Sequence, residues 1–137
     1  MIYLDSSALV KLAVTEPETP ALTEWLAASP TVVRVSSSVI RVEVPRAVWR
    51  ADPGSLPQSY SLVRRTRVIW LSDAVLSRAS GVRPAALCSP GAIHLASALT
   101  VRRDLTAFVS YDGRLLDAAR EAGLPVASPG QNAGCSV

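Results

Sequence analysis

Asp5 closes the apolar run Ile2-Tyr3-Leu4, and Asp112 closes another, Ala107-Phe108-Val109-Ser110-Tyr111. A third acid, Glu43, follows Ser36-Ser37-Ser38. Singly, each has an ordinary explanation: an aspartate at a strand end caps the next helix, and a helical glutamate faces solvent. Together they point to cation chemistry. Mg²⁺ and Mn²⁺ are held by oxygen ligands, and carboxylates from separate elements can converge on one ion. Clustered carboxylates repel one another until a cation joins them. Such an ion lowers the pKa of a water and offsets charge growing on a phosphoryl oxygen.

The elements that must position these acids follow from apolar patterning. Met1–Leu4, Thr31–Val35, Val68–Leu71, Ala107–Ser110 and Pro125–Ala127 read as short buried strands without polar alternation. Helices are expected between them. One follows Ser6 or Ser7 and carries Leu9, Val10 and Leu12, and a second runs from Pro20 through Leu26. Others span about Ser55 to Arg65 and from Ser72 or Asp73 to Gly81. The pair Ser89-Pro90 starts a nearly all-apolar helix through Ala92 to Arg102, and the last helix carries Leu115, Leu116, Ala119 and Ala122. The segment after Ser36–Ser38 is ambiguous, because Val39, Ile40, Val42 and Val44 favour strand while Ala47, Val48 and Trp49 extend a helix. If it is one helix, Pro45 is expected to kink it just after Glu43.

Strands alternating with helices imply an α/β domain: a central parallel sheet of about four to five strands with helices on both faces. Ligands in such folds bind beyond the carboxyl ends of the strands, where Asp5 and Asp112 both fall. The chain's 137 residues suit one domain, and its 49% apolar against 18% charged residues argue against disorder. A net charge of +3 permits a polyanionic partner without requiring one. Cys88 and Cys135 have no metal-ligand spacing. With no basic leader and no apolar stretch of about 20 residues, a soluble cytoplasmic protein without membrane contact is expected. Trp25, Trp49 and Trp70 are expected in the core, His94 as a packing or hydrogen-bonding residue, and Arg64, Arg65 and Arg67 as a basic cluster with a minority claim on RNA phosphates.

Several segments, in order, resemble the PIN domains of VapC-type toxins. Ile2 to Lys11 is similar to the family's opening, and Ser36-Ser37-Ser38 with Glu43 to its second element. Ala92-Ile93-His94-Leu95-Ala96-Ser97-Ala98 resembles the third, and Phe108 to Leu115 the fourth. The resemblance spans residues 1–129, implying a PIN-like fold there and a flexible tail over 130–137. It implies an endoribonuclease toxin that cleaves RNA with Mg²⁺ or Mn²⁺ bound by Asp5, Glu43 and Asp112, with Ser7 orienting Asp5. It also implies neutralisation by a small antitoxin and a homodimer, with the early apolar helices, Leu9–Leu12 and Leu22–Leu26, as contact surfaces.

The chain departs from the pattern where the family places a metal-binding aspartate before Ala-Ile-His: here stands Gly91. Pro90 stands where a larger apolar residue is usual and Pro45 where an apolar one is, and Pro45 bears on where Glu43 points. Losing a carboxylate lowers the expected affinity for a hard cation. Asp117, five positions after Asp112, is the acid considered as a substitute. The alternative is a catalytically inactive PIN-like module that binds antitoxin or RNA. A weaker alternative, a flavodoxin-like or receiver-type domain, lacks support because no paired acids follow the first strand and no strand-end lysine is present.

Overall fold

The structure, a computed structural model, describes residues 1–132. Strand β1 (Ile2–Leu4) leads into α1 (Ser6–Ala13) and α2 (Thr19–Ala27), then β2 (Arg34–Ser37). Next come α3 (Ile40–Ala51), a 3₁₀ turn (Pro53–Ser55), α4 (Leu56–Arg65) and β3 (Arg67–Ile69). Helices α5 (Asp73–Ser80) and α6 (Ser89–Thr100) precede β4 (Ala107–Val109), α7 (Gly113–Glu121) and β5 (Val126–Ala127). The strands form one five-stranded sheet in the order β3-β2-β1-β4-β5, every pairing parallel. This is the α/β architecture expected from the sequence.

The alternation within β1 separates two apolar layers. Ile2 and Leu4 face one side, packing with Leu9, Leu22, Leu26, Ile40, Val44 and Val48 from α1, α2 and α3. Tyr3 faces the other, packing with Val75, Leu95, Phe108 and Leu115, which brings in α5, α6 and α7. The chain builds outward from β1 to β3, then crosses back to place β4 on β1's other side. The strand order therefore reverses between β1 and β4, and a crevice opens at their carboxyl ends.

The structure resolves the ambiguous third helix. Ile40, Val44 and Val48 are fully buried at a four-residue spacing, so packing of one helical face overrides the β-branched preference. The helix continues through Pro45 to Ala51. Ser36 and Ser37 do not cap it: they lie in β2, paired with Val68 and Ile69, and the helix starts behind Val39 without a side-chain cap. β2 begins at Arg34 and β3 ends at Ile69, each shifted from expectation. Trp49 and Trp70 correct the expected tryptophan core, being 59% and 63% exposed. Trp49 follows Val48 directly, about 100° round the helix from the buried stripe, and Trp70 lies just past the end of β3. Trp25 is half-buried. Of the expected tail over 130–137, residues 133–137, including Cys135, lie outside the described residues.

Candidate active site

Asp5 occupies the turn between β1 and α1, where its backbone N–H still donates to the Val109 carbonyl across the sheet. Its side chain caps α1, accepting from the Ala8 N–H at 3.0 Å. Ser7 Oγ donates to Asp5 Oδ1 at 2.6 Å, and Ser110 Oγ donates to Oδ2 at 2.5 Å. The carboxyl is 3% exposed, and burial raises its pKa against the lowering influence of His94 and these hydrogen bonds. Both serines have a second task. Ser7 Oγ accepts the Tyr111 N–H at 2.9 Å and Ser110 Oγ the Asp112 N–H at 3.0 Å, which fixes the β4–α7 turn onto Asp5.

Asp112 caps α7 from this turn, its Oδ1 accepting from the Arg114 and Leu115 N–H groups at 3.0 and 3.3 Å. Glu43 reaches the same region from the start of α3. Its Oε1 accepts from Ser6 Oγ at 2.8 Å and lies 2.9 Å from His94 Nε2. Burial alone would raise the Glu43 carboxyl, but His94 and Ser6 outweigh it and hold the pKa below its ordinary value.

His94 projects from α6 and is buried between two partners. Tyr3 Oη lies 2.8 Å from its Nδ1. Burial pushes the Tyr3 hydroxyl well above its usual pKa, so Tyr3 keeps its proton and donates it. His94 Nδ1 then accepts, leaving the proton on Nε2 to face Glu43 and Ser6, a tautomer inferred from the partners. Tyr3 is itself immobilised by stacking on Phe108, with ring centroids 5.1 Å apart. A line of contacts thus runs from the core through Tyr3 and His94 to the Glu43 carboxylate.

Gly91 lies in the first turn of α6, one turn before His94, and is buried. A Cβ built there would stand 3.2 Å from Leu87 Cδ1 and 3.5 Å from Cys88 Sγ. The leucine tip must give by a few tenths of an ångström to admit a side chain. Asp117 is elsewhere: its carboxylate is 75% exposed and paired with Arg120 at 2.9 Å, with no hydrogen bond to the other acids among the described residues.

Among the described residues, no three His, Cys, Asp or Glu side chains stand close enough together to hold a metal ion. The donors nevertheless suit a hard cation in kind. Glu43 Oε2 and Asp112 Oδ2 make no hydrogen bond among the described residues, and Asp5 is a buried carboxyl whose ionised form a neighbouring cation would favour. Mg²⁺ keeps several waters and commonly takes one or two carboxylates with a substrate phosphate, so it asks for fewer protein oxygens than a closed cage does. An open cleft of about 560 Å³ beside Glu43 is lined by Ser6, Ser7, Glu43 and Tyr111 among others, with Asp5 and Asp112 outside its lining.

Of the residues singled out in the sequence, Asp5, Ser7, Glu43 and Asp112 all lie at the carboxyl edge of the sheet. Ser6, Ser110 and Tyr3 were missed as participants. For Ser110 a signal existed, since it ends an apolar strand beside Asp112. For Tyr3 none did, because its alternation lies inside an unbroken apolar run.

Residues 2–121 match the family model for the PIN domain. The chain is 44% identical over 133 residues to ribonuclease VapC47 of Mycobacterium tuberculosis, covering 95% of this chain and 98% of that protein. It is 40% identical over 133 residues to ribonuclease VapC35 of the same organism, covering 96% and 98%. Among solved structures it is similar to M. tuberculosis VapC20, a sarcin-ricin loop cleaving toxin, with a TM-score of 0.75 at 17% identity over 94% of this chain and 100% of that one. It is also similar to VapBC2 of Rickettsia felis, bound to a DNA fragment from its promoter, with a TM-score of 0.68 at 15% identity over 94% and 99%. At those identities the structural likeness concerns the fold.

Proposed function

The chain belongs to the PIN-domain family, and from that premise we propose that it is an endoribonuclease toxin of a type II toxin–antitoxin system, cleaving RNA phosphodiester bonds with Mg²⁺ or Mn²⁺. Asp5 and Asp112, with Glu43, would hold the ion. When bound, it would activate water and offset charge on the phosphoryl oxygens.

The protein's own residues do the remaining work. Ser7 and Ser110 orient the Asp5 carboxylate from opposite sides, so that no rotation of the side chain is needed when substrate arrives. Ser6 and His94 keep Glu43 ionised and hold one of its oxygens, leaving the other to face the cleft chemistry. Tyr3 keeps the His94 ring in the donor orientation. The observation that carries this reading is the hydrogen bond from Ser110, at the end of β4, to Asp5, at the end of β1. It ties two acidic strand ends together at the point where the sheet reverses order.

The curated relatives are named as ribonucleases, and the Rickettsia neighbour is a VapB–VapC assembly. We infer a small antitoxin partner on the same basis, with a basic side chain suited to the acidic site, and a cytoplasmic homodimer. No helix among the described residues is long and apolar enough to cross a membrane.

The deciding experiment is RNA cleavage by the purified chain with Mn²⁺, beside Gly91→Asp and with EDTA as the control. Cleavage that EDTA abolishes supports the proposal. Cleavage confined to Gly91→Asp identifies a nuclease weakened at the position where the family carries an acid. If neither protein cuts RNA while both bind Mn²⁺, the enzyme assignment fails and a binding module replaces it.

A further inference from the structure

The cleft in front of Glu43 has a cationic wall. At 3.6 residues per turn, Glu43, Arg46, Ala47 and Arg50 fall along one stripe of α3, and all of them line the cleft. A helical rise of 1.5 Å per residue sets Arg46 about 4.5 Å and Arg50 about 10.5 Å beyond Glu43 along the axis. Among the described residues neither arginine makes a salt bridge or a side-chain hydrogen bond. The other cation of the cleft, Lys11, is already held by Glu16 and Glu18 at 2.5 and 2.8 Å. Both arginines are exposed at the rim, and their guanidinium charge is permanent.

An acidic end beside an uncommitted cationic wall suits a ligand that is itself a chain of anions. The planar guanidinium matches phosphate geometry, and two of them about 6 Å apart along a helix are placed to take successive groups of one strand. A single strand fits such an open cleft better than a duplex, whose phosphates would have to carry a second strand with them.

We propose that Arg46 and Arg50 bind consecutive backbone phosphates of single-stranded RNA next to the bond that is cut, and so set the direction in which the strand lies along α3. This rests on the ribonuclease reading above. They are positioning residues, since neither is placed on the reacting phosphate.

The basic cluster evident in the sequence supplies the control. Arg64 and Arg65 end α4, and Arg65, with Arg34 at the start of β2 and Arg67 at the start of β3, lines a separate cleft at the amino ends of the strands, the opposite edge from Asp5.

The test measures binding of a fluorescein-labelled single-stranded RNA by anisotropy in EDTA, across a series of salt concentrations, with cleavage assayed separately in Mn²⁺. Each phosphate contact contributes about 0.7 to the slope of log affinity against log salt, so Arg46→Gln with Arg50→Gln should reduce that slope by about 1.4. Arg46→Lys with Arg50→Lys, retaining charge, should keep most of it. Arg64→Gln with Arg65→Gln should leave it unchanged. In cleavage, the glutamine pair should raise KM with kcat close to that of the parent. A wild-type chain that cleaves RNA while the glutamine pair keeps its slope and KM overturns this inference alone. So does binding of an acidic peptide, and not RNA, through these arginines, or an equal loss of slope in the Arg64 and Arg65 pair. A wild-type chain that neither binds nor cleaves RNA overturns the ribonuclease reading together with it.

Discussion

Asp5→Asn should stabilise the fold while abolishing whatever the acidic site does. The carboxyl is buried, and ionising it there costs several kcal/mol that its hydrogen bonds only partly offset. Asparagine caps a helix as well as aspartate does, so its oxygen can keep the bonds from Ala8 and Ser7. What is lost is the charge-assisted bond from Ser110, about 1.5–3 kcal/mol, partly replaced by the amide N–H donating to that hydroxyl. The balance is a net stabilisation of about 1 kcal/mol, or about 3–5 °C in Tm for a chain of this size. Because the folded-state pKa is raised, the unfolded chain releases this proton first as pH climbs. The stability contributed by protonated Asp5 is complete below its unfolded value and disappears as pH passes through the folded one. Thermal melts of both proteins in EDTA should therefore nearly coincide below about pH 4 and separate as pH rises, with the variant melting higher at neutral pH. A variant that melts lower at neutral pH, or a gap independent of pH, would refute the reasoning.

Three further outcomes follow from the same geometry. His94→Ala removes a buried donor from Glu43 and an acceptor from Tyr3; it should lower Tm by about 6–15 °C, from about 2–3 kcal/mol of lost buried hydrogen bonding, and reduce kcat of RNA cleavage more than it raises KM. Ser97→Ala deletes a buried hydroxyl that finds no partner among the described residues, at a helix position that favours alanine, and should stabilise by about 1 kcal/mol in urea titration. Asp117→Asn breaks only an exposed pair with Arg120, so cleavage rate and stability (within about 0.5 kcal/mol) should both stay at parental values; a large loss of cleavage would return this acid to the site.

The sequence carried the site further than it carried the surface. Asp5 and Asp112 end short apolar runs, and parallel strands of a single sheet bring such ends to one edge, so their convergence follows from topology alone. Glu43 was harder, because the β-branched residues around it contradict the helix that holds it. Only the burial of Ile40, Val44 and Val48 decides that conflict, and burial depends on a sheet the local sequence does not contain. Tryptophan exposure was misread for a related reason. Trp49 stands beside those residues in sequence but on another side of the helix, and Trp70 lies just past the strand it was expected to extend. The arginines show the same effect in charge. Arg64, Arg65 and Arg67 catch the eye because they are adjacent, whereas Arg46 and Arg50 share a face only once a helix places them a turn apart.

The Ser110–Asp5 contact joins residues separated by 105 positions. At a synthesis rate of about 5–20 residues per second, roughly 5–20 s pass between the emergence of one partner and the other. Throughout that interval the growing chain carries Asp5 without the hydroxyl that holds its second oxygen, and without the turn that presents Asp112. Until then Asp5 is held by Ser7 and the Ala8 N–H alone, so the acidic edge takes its final form only after β4 and the turn beyond it have been made.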